Sequence, residues 1–164
     1  MIFDSLFPHK FHSLELSEVV NFARHALSLD EERKTFHPLV WEPIKEDQQS
    51  GRLKQVWFSG VHTDVGGGYK EEDLSNISLK WMLQEAEAKQ LIIYCNSEIY
   101  KNLMASESDV NGTMHKEQKG FPGKLFKREQ RSWNKITHGE PCVHESVLKR
   151  TKNNDNSETP KYSS

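Results

Sequence analysis

The sequence of 164 residues has only two cysteines, Cys95 and Cys142. That is too few for a disulfide framework or a four-cysteine zinc site, and two unclustered thiols suit a reducing compartment. No apolar run approaches the roughly 20 residues that a membrane-spanning helix needs. The opening M-I-F-D-S-L-F-P lacks both a basic n-region and a long apolar core, so it does not read as a secretory signal. Neither sign of charge dominates. The net charge is -2 and the pI is about 6.4, so no global field draws the chain to nucleic acid. Apolar residues are sparse as well, at 35%, against about 45–50% in an average domain on a count that includes glycine. A core is expected, but a thin one. Three motifs are missing. The absence of G-x-x-x-x-G-K-[ST] and G-x-G-x-x-G excludes a Walker loop and a dinucleotide fingerprint. The absence of G-x-S-x-G removes the usual nucleophile elbow of an α/β-hydrolase.

What is present suggests alternating strands and helices. M-I-F is short and apolar and stops at Asp4. Ser17 is a good N-cap, and Val19, Phe22, Ala26 and Leu27 follow at helical spacing, so a helix is expected over Ser17–Leu29. Residues 35–51, with Pro38 and Pro43, read as a connection. Gln55–Val61 is the best strand. Its unbroken Val56, Trp57, Phe58 and Val61 predict burial on both faces, as in a parallel sheet. A loop over His62–Asn76 is expected next. A second helix follows, capped by Ser75 or Ser78 and carrying Ile77, Trp81, Ala88 and Leu91 near one face. Leu91–Tyr94 offers one more short strand. Beyond Asn96 the turns Asn111-Gly112 and Pro122-Gly123 announce an irregular region, and His144–Arg150 offers a short amphipathic turn. Residues 1–150 are expected to form the C-terminal part of an α/β domain, and 151–164 a disordered tail rich in Lys, Asn, Ser and Asp. The pattern is half of an α/β arrangement, the end of a larger sheet.

In open parallel sheets the functional groups sit at the carboxyl ends of strands. His62 follows the strand Gln55–Val61, and Asp4 follows M-I-F. An Asp after one strand and a His after a later one form the second half of a Ser-Asp-His order. There the acid orients the imidazole, and the imidazole takes the nucleophile's proton. Gly66, Gly67 and Gly68 could gather N–H groups around an anion, although a glycine triplet is more often a sharp turn. His62 and Asp64 also form an H-x-D pair, with Asp73 or His144 as further candidate metal ligands. Catalytic zinc usually takes about three protein ligands, so the pair alone does not define a site. His144 is a rival base, ranked below His62. Ser59 lies inside the expected strand and not on an elbow. Asp30, Glu31 and Arg33 are expected to form a charge network at a helix end, and Trp57, Phe58, Trp81 and Met82 to be core.

Three blocks in order, A-R-H-A-L-S-L-D-E-E-R-K-T-F, V-W-F-S-G-V-H-T-D-V-G-G-G-Y and L-S-N-I-S-L-K-W-M-L, resemble the DUF2235 family. This is the α/β-hydrolase-like catalytic domain of Tle1-type type VI secretion phospholipase effectors. H-E-S-V-L-K-R, His144–Arg150, is similar to a block near that domain's end. The resemblance implies a serine esterase acting on phospholipid acyl esters, with no cofactor. It places the base on His62 and the acid on Asp4 in I-F-D-S-L, with Asp64 as a loop-shaping residue or alternative acid. It also implies an elbow serine upstream of Met1.

The expected fold is therefore a partial α/β-hydrolase-like parallel sheet with flanking helices and an irregular C-terminal region. The expected function is that of a serine-type lipid esterase fragment carrying the His and the Asp of its triad, inactive alone. Expected partners are a phospholipid substrate in the intact domain, an upstream portion of the domain and the secretion apparatus. The protein would be made in the cytoplasm and delivered by a type VI route. Two alternatives stand beside this. One is a non-catalytic interaction module or gene remnant, and the other is a metal-dependent hydrolase using His62 and Asp64.

Overall fold

The computed structural model describes residues 14–42, 47, 50–116 and 127–153. Its sheet has three parallel strands, β1 (Ala23–Ser28), β2 (Leu53–Phe58) and β3 (Cys142–Val143), in that spatial order. Between β2 and β3 lie the helices α1 (His62–Gly66), α2 (Asp73–Glu87), α3 (Glu98–Ala105) and α4 (Lys135–His138), and α5 (Glu145–Asn153) follows β3. A 3-10 turn, Lys34–Phe36, falls between β1 and β2.

The helix expected over Ser17–Leu29 does not form, because Ala23–Ser28 is a strand paired residue for residue with Leu53–Phe58. Its buried anchors, Ala23 and Leu27, are four apart, a spacing that satisfies both the period of 2 and the period of 3.6. The parallel ladder with β2 decides between them. The stripe that suggested a helix is split, with Val19 86% and Phe22 48% exposed while Leu27 is buried and Ala26 packs on the core.

β2 is buried on both faces, as its unbroken apolar run predicts. On one face Val56 and Phe58 join Val65, Ala26, Ile77 and Trp81 in a core cluster, and the Phe58 and Trp81 rings meet edge to face at 5.4 Å. On the other face Leu53 packs with Leu16, Ala23 and Trp41, and Trp57 meets Trp133 at 5.7 Å. Burying a side chain of this size contributes about 1.5–3 kcal/mol, so Phe58 and Leu27, each 1% exposed, are principal anchors. At the amino end of the sheet Arg24 and Lys54 are register partners of like charge. Glu85 of α2 bridges them, accepting from Arg24 Nε and Lys54 Nζ at 2.6 Å each. Burial alone would raise the Glu85 carboxyl, but these two donors outweigh it and hold it below the ordinary glutamate value.

Four further expectations are corrected. His62–Asn76 is not all loop, since α1 occupies its first turn and α2 starts at Asp73. Ser75 and Ser78 do not cap α2. Ser78 Oγ instead donates to Val65 O at 2.6 Å and ties α2 to α1. Leu91–Tyr94 has no regular structure. The chain leaves α2 through Gln90, whose φ is +67°, and Ile92 stands 96% exposed. The turn expected near His144–Arg150 is a helix that runs on to Asn153. The M-I-F segment, Asp4 and residues 154–164 lie outside the described residues.

Candidate functional site

All three strands point their carboxyl ends to one edge, where polar residues collect. After β1 come Asp30 and Glu31, after β2 come Ser59 to His62, and after β3 comes His144. β1 and β2 remain laced beyond the ladder. Asp30 N donates to Gly60 O at 3.1 Å, and Gly60 N donates to Asp30 Oδ2 at 2.6 Å. Gly60 turns the chain out of the sheet with φ +111°, and a Cβ there would stand 2.4 Å from Asp64 Cβ. Only glycine meets both demands.

His62 opens α1 at this edge and is exposed. Its main-chain N–H donates to Glu31 Oε2 at 3.3 Å, and its ring lies against Phe36 at 5.1 Å. Glu31 is 1% exposed. It also accepts from Arg33 N, Nε and NH2 at 2.9, 2.8 and 2.6 Å, and the Arg33 guanidinium sits 4.1 Å over the Phe36 ring. Burial pushes the Glu31 carboxyl up, and the Arg33 and His62 donors together outweigh it and bring it below the ordinary value. Of the expected charge network, Glu31 and Arg33 pair at a strand end beside His62, while the Asp30 carboxylate accepts from Gly60 N.

Asp64 is 3% exposed and faces away from that bracket. Its Oδ2 accepts from Val61 N at 3.0 Å and His115 N at 3.1 Å, while its Oδ1 lies 2.7 Å from His115 Nδ1. Among the described residues it makes no hydrogen bond to the His62 ring. These contacts tie Asp64 to the Val61 amide and to His115. His115 was not singled out in the sequence. It lies 51 positions from Asp64 in a region of turn signals, and no local spacing links the two.

The glycine triplet terminates α1. Gly67 N donates to Thr63 O at 2.9 Å, and Gly67 and Gly68 have φ +83° and +122°. This is a helix-ending turn. His144 N donates to Trp57 O at 2.9 Å, and its ring stacks on Phe58 at 4.7 Å. Its Nδ1 accepts from Ser146 N at 3.3 Å, and burial lowers its pKa. Ser59 is buried directly after β2, off any elbow. For the metal reading, Asp64 is committed to N–H donors and His144 to Phe58 and Ser146. Among the described residues no three His, Cys, Asp or Glu side chains converge on an ion site.

Beside His62 an open cleft of about 730 Å³ runs between β1, α1, α2 and α3, within the range of roughly 300–1,000 Å³ usual for small-ligand sites. Its walls include Ala26, Val65, Leu79, Met82 and Leu103. No helix among the described residues is long and apolar enough to cross a membrane.

A parallel sheet with flanking helices, a histidine near its carboxyl edge and a largely apolar cleft beside it define the class as a partial α/β fold. The chain belongs to the family described as "T6SS, Phospholipase effector Tle1-like, catalytic domain", whose model matches residues 2–85. It is also similar to the Uncharacterized protein YEL023C of Saccharomyces cerevisiae, with 51% identity over 39 residues, covering 21% of this chain and 6% of the yeast protein. The chain thus spans a small part of that relative's length. No solved structure matches.

Proposed function

We propose that the chain is the part of a serine-type phospholipase catalytic domain that supplies the histidine base, His62, with Asp4 as the acid that orients it. The supporting observation is the placement of His62. It sits at the carboxyl end of β2, bracketed by Glu31 and Phe36, and it borders the cleft. In the complete domain a serine from an elbow outside residues 1–164 attacks the acyl carbonyl. His62 takes its proton and returns it to the leaving alcohol. Asp64 shapes the loop and does not act as the acid. Without the serine the chain is inactive alone. It is made in the cytoplasm and reaches a target cell by a type VI route, in keeping with its family.

The test has two parts. Purified chain is assayed on phospholipid vesicles and on a soluble acyl ester, alone and then joined to the upstream segment that encodes a G-x-S-x-G elbow. Hydrolysis should appear only in the joined protein and should fall at least about 10³-fold in His62→Ala. Hydrolysis by the chain alone after every serine is replaced, or activity that survives His62→Ala, would overturn the reading.

A second reading, a non-catalytic module that binds an intact relative, draws on the outer edge of β1. Ala23 N and Leu29 N both donate to the β2 side. The alternation therefore turns the main-chain groups of Arg24, Ala26 and Ser28 away from β2, and among the described residues nothing pairs with them. An unpaired edge of this kind accepts an added strand. Absence of any upstream elbow-coding sequence would favour this reading over the first.

A further inference from the structure

The segment after α3 is strapped to the site from three directions. Asp109 N lies 3.5 Å from Asp73 Oδ1 at the start of α2. Arg150 of α5, 6% exposed, donates from NH1 to Val110 O at 2.7 Å and to Gly112 O at 3.0 Å. Gly112 packs so closely that a Cβ would stand 2.4 Å from Asp73 Cβ. The strap ends at His115, whose main-chain N and ring Nδ1 both reach the buried Asp64 carboxylate. Tyr69, from the glycine turn, stacks on the His115 ring at 3.7 Å.

A carboxylate buried this deeply is costly unless its oxygens are satisfied. Among the described residues the donors on Asp64 are one N–H from the residue before His62 and two from His115. The same carboxylate therefore fixes the amide of Val61 and depends on His115 to stay where it is. We propose that His115 is a positioning residue for His62, acting through Asp64. It closes the strap over α1, holds Asp64 on the Val61 amide, and so sets the turn that presents His62 at the sheet edge. The link from this clasp to catalysis rests on His62 being the base. The clasp itself does not.

Asparagine places an amide nitrogen where His115 Nδ1 lies. Phenylalanine keeps a ring for Tyr69 and removes the donor. In the ¹⁵N-labelled chain of 164 residues, exchange of the Val61 amide and the side-chain ¹⁵N resonances of His62 are followed across pH. In His115→Phe, Val61 should exchange about tenfold to a hundredfold faster, and the His62 ring signals should shift and broaden. His115→Asn should restore both. Parent-like Val61 exchange and His62 signals in His115→Phe would overturn the proposal. So would a His115→Asn variant no better than the phenylalanine, because ring volume and not the donor would then matter. Should His115→Phe fail to fold, Tyr69→Leu removes the stack and leaves the His115 donor in place. It should move both readouts in the same direction by a smaller amount, and unchanged readouts there also overturn the proposal. A normal clasp with activity that survives His62→Ala in the joined protein would remove the base assignment and leave the positioning role standing.

Discussion

Glu31, at the end of β1, accepts the main-chain N–H of His62, at the start of α1, at 3.3 Å. One buried carboxylate thus joins the ends of two neighbouring strands and sets where the histidine begins. Because Arg33 supplies its other donors, the acid is both neutralised and aimed.

Glu31→Gln removes the charge that holds Arg33 and weakens the bond to His62. At pH 7 it should lower stability by about 1–3 kcal/mol, read by urea denaturation. The fold depresses the carboxyl below its ordinary 4.5. Its contribution is therefore complete above that value and fades as pH falls through the folded pKa. The variant should lose less stability than the parent on acidification below about pH 4.5, with the slope due to Glu85 remaining. An acid limb identical to the parent's would show that Glu31 is not depressed.

Gly60→Ala should be among the most damaging small changes. The new methyl would meet Asp64 Cβ at 2.4 Å, and the backbone stays at φ +111°. Strain and overpacking together should cost about 2–4 kcal/mol, measured as a lower denaturation midpoint. Gly66→Ala, with nothing within 4 Å, is the control and should cost far less.

Phe58→Ala opens a cavity beneath Trp81 and His144 and should cost about 3–5 kcal/mol. Domains of this kind hold about 5–15 kcal/mol in all, and apolar residues are sparse here. Loss of the sharp near-UV signal of the packed tryptophans is therefore expected well below the parent's midpoint. A shift of less than about 1 kcal/mol would place Phe58 outside the core.

His144 gives the fold a dependence on neutral pH. Burial disfavours its charged form and lowers its pKa below 6.5. A histidine kept neutral by the fold contributes fully above its unfolded pKa, and the contribution falls as pH drops from there toward the folded value. Stability should thus decline between about pH 7 and pH 5. His144→Phe, which keeps a ring on Phe58, should flatten that decline. His25, lowered for the same reason, contributes in the same direction. An unchanged slope in His144→Phe would exclude the residue as its source.

Sequence and structure part company at identifiable residues. The two-sided burial of β2 was legible because Val56, Trp57 and Phe58 leave no polar face, and a strand of that kind needs cover on both sides. The glycine turn was legible because successive positive φ values favour glycine. β1 was not, since Ala23 and Leu27 fit a helix and a strand equally well. The clasp of Asp64 by His115 was not, because its two members are far apart in the chain.

The sequence by itself determined the chemistry available at the sheet edge: a histidine a few residues after the most apolar strand, a glycine turn behind it, and no G-x-S-x-G. Tertiary structure decided which groups serve that histidine. Only the parallel ladder made Ala23–Ser28 a strand and carried Glu31 to the amide of His62. Only the strap from Asp109 to His115 gave the buried Asp64 carboxylate its ring donor. Periodicity along the chain records which faces are apolar. It does not record which distant donor satisfies a buried charge, because that is set by how the elements pack.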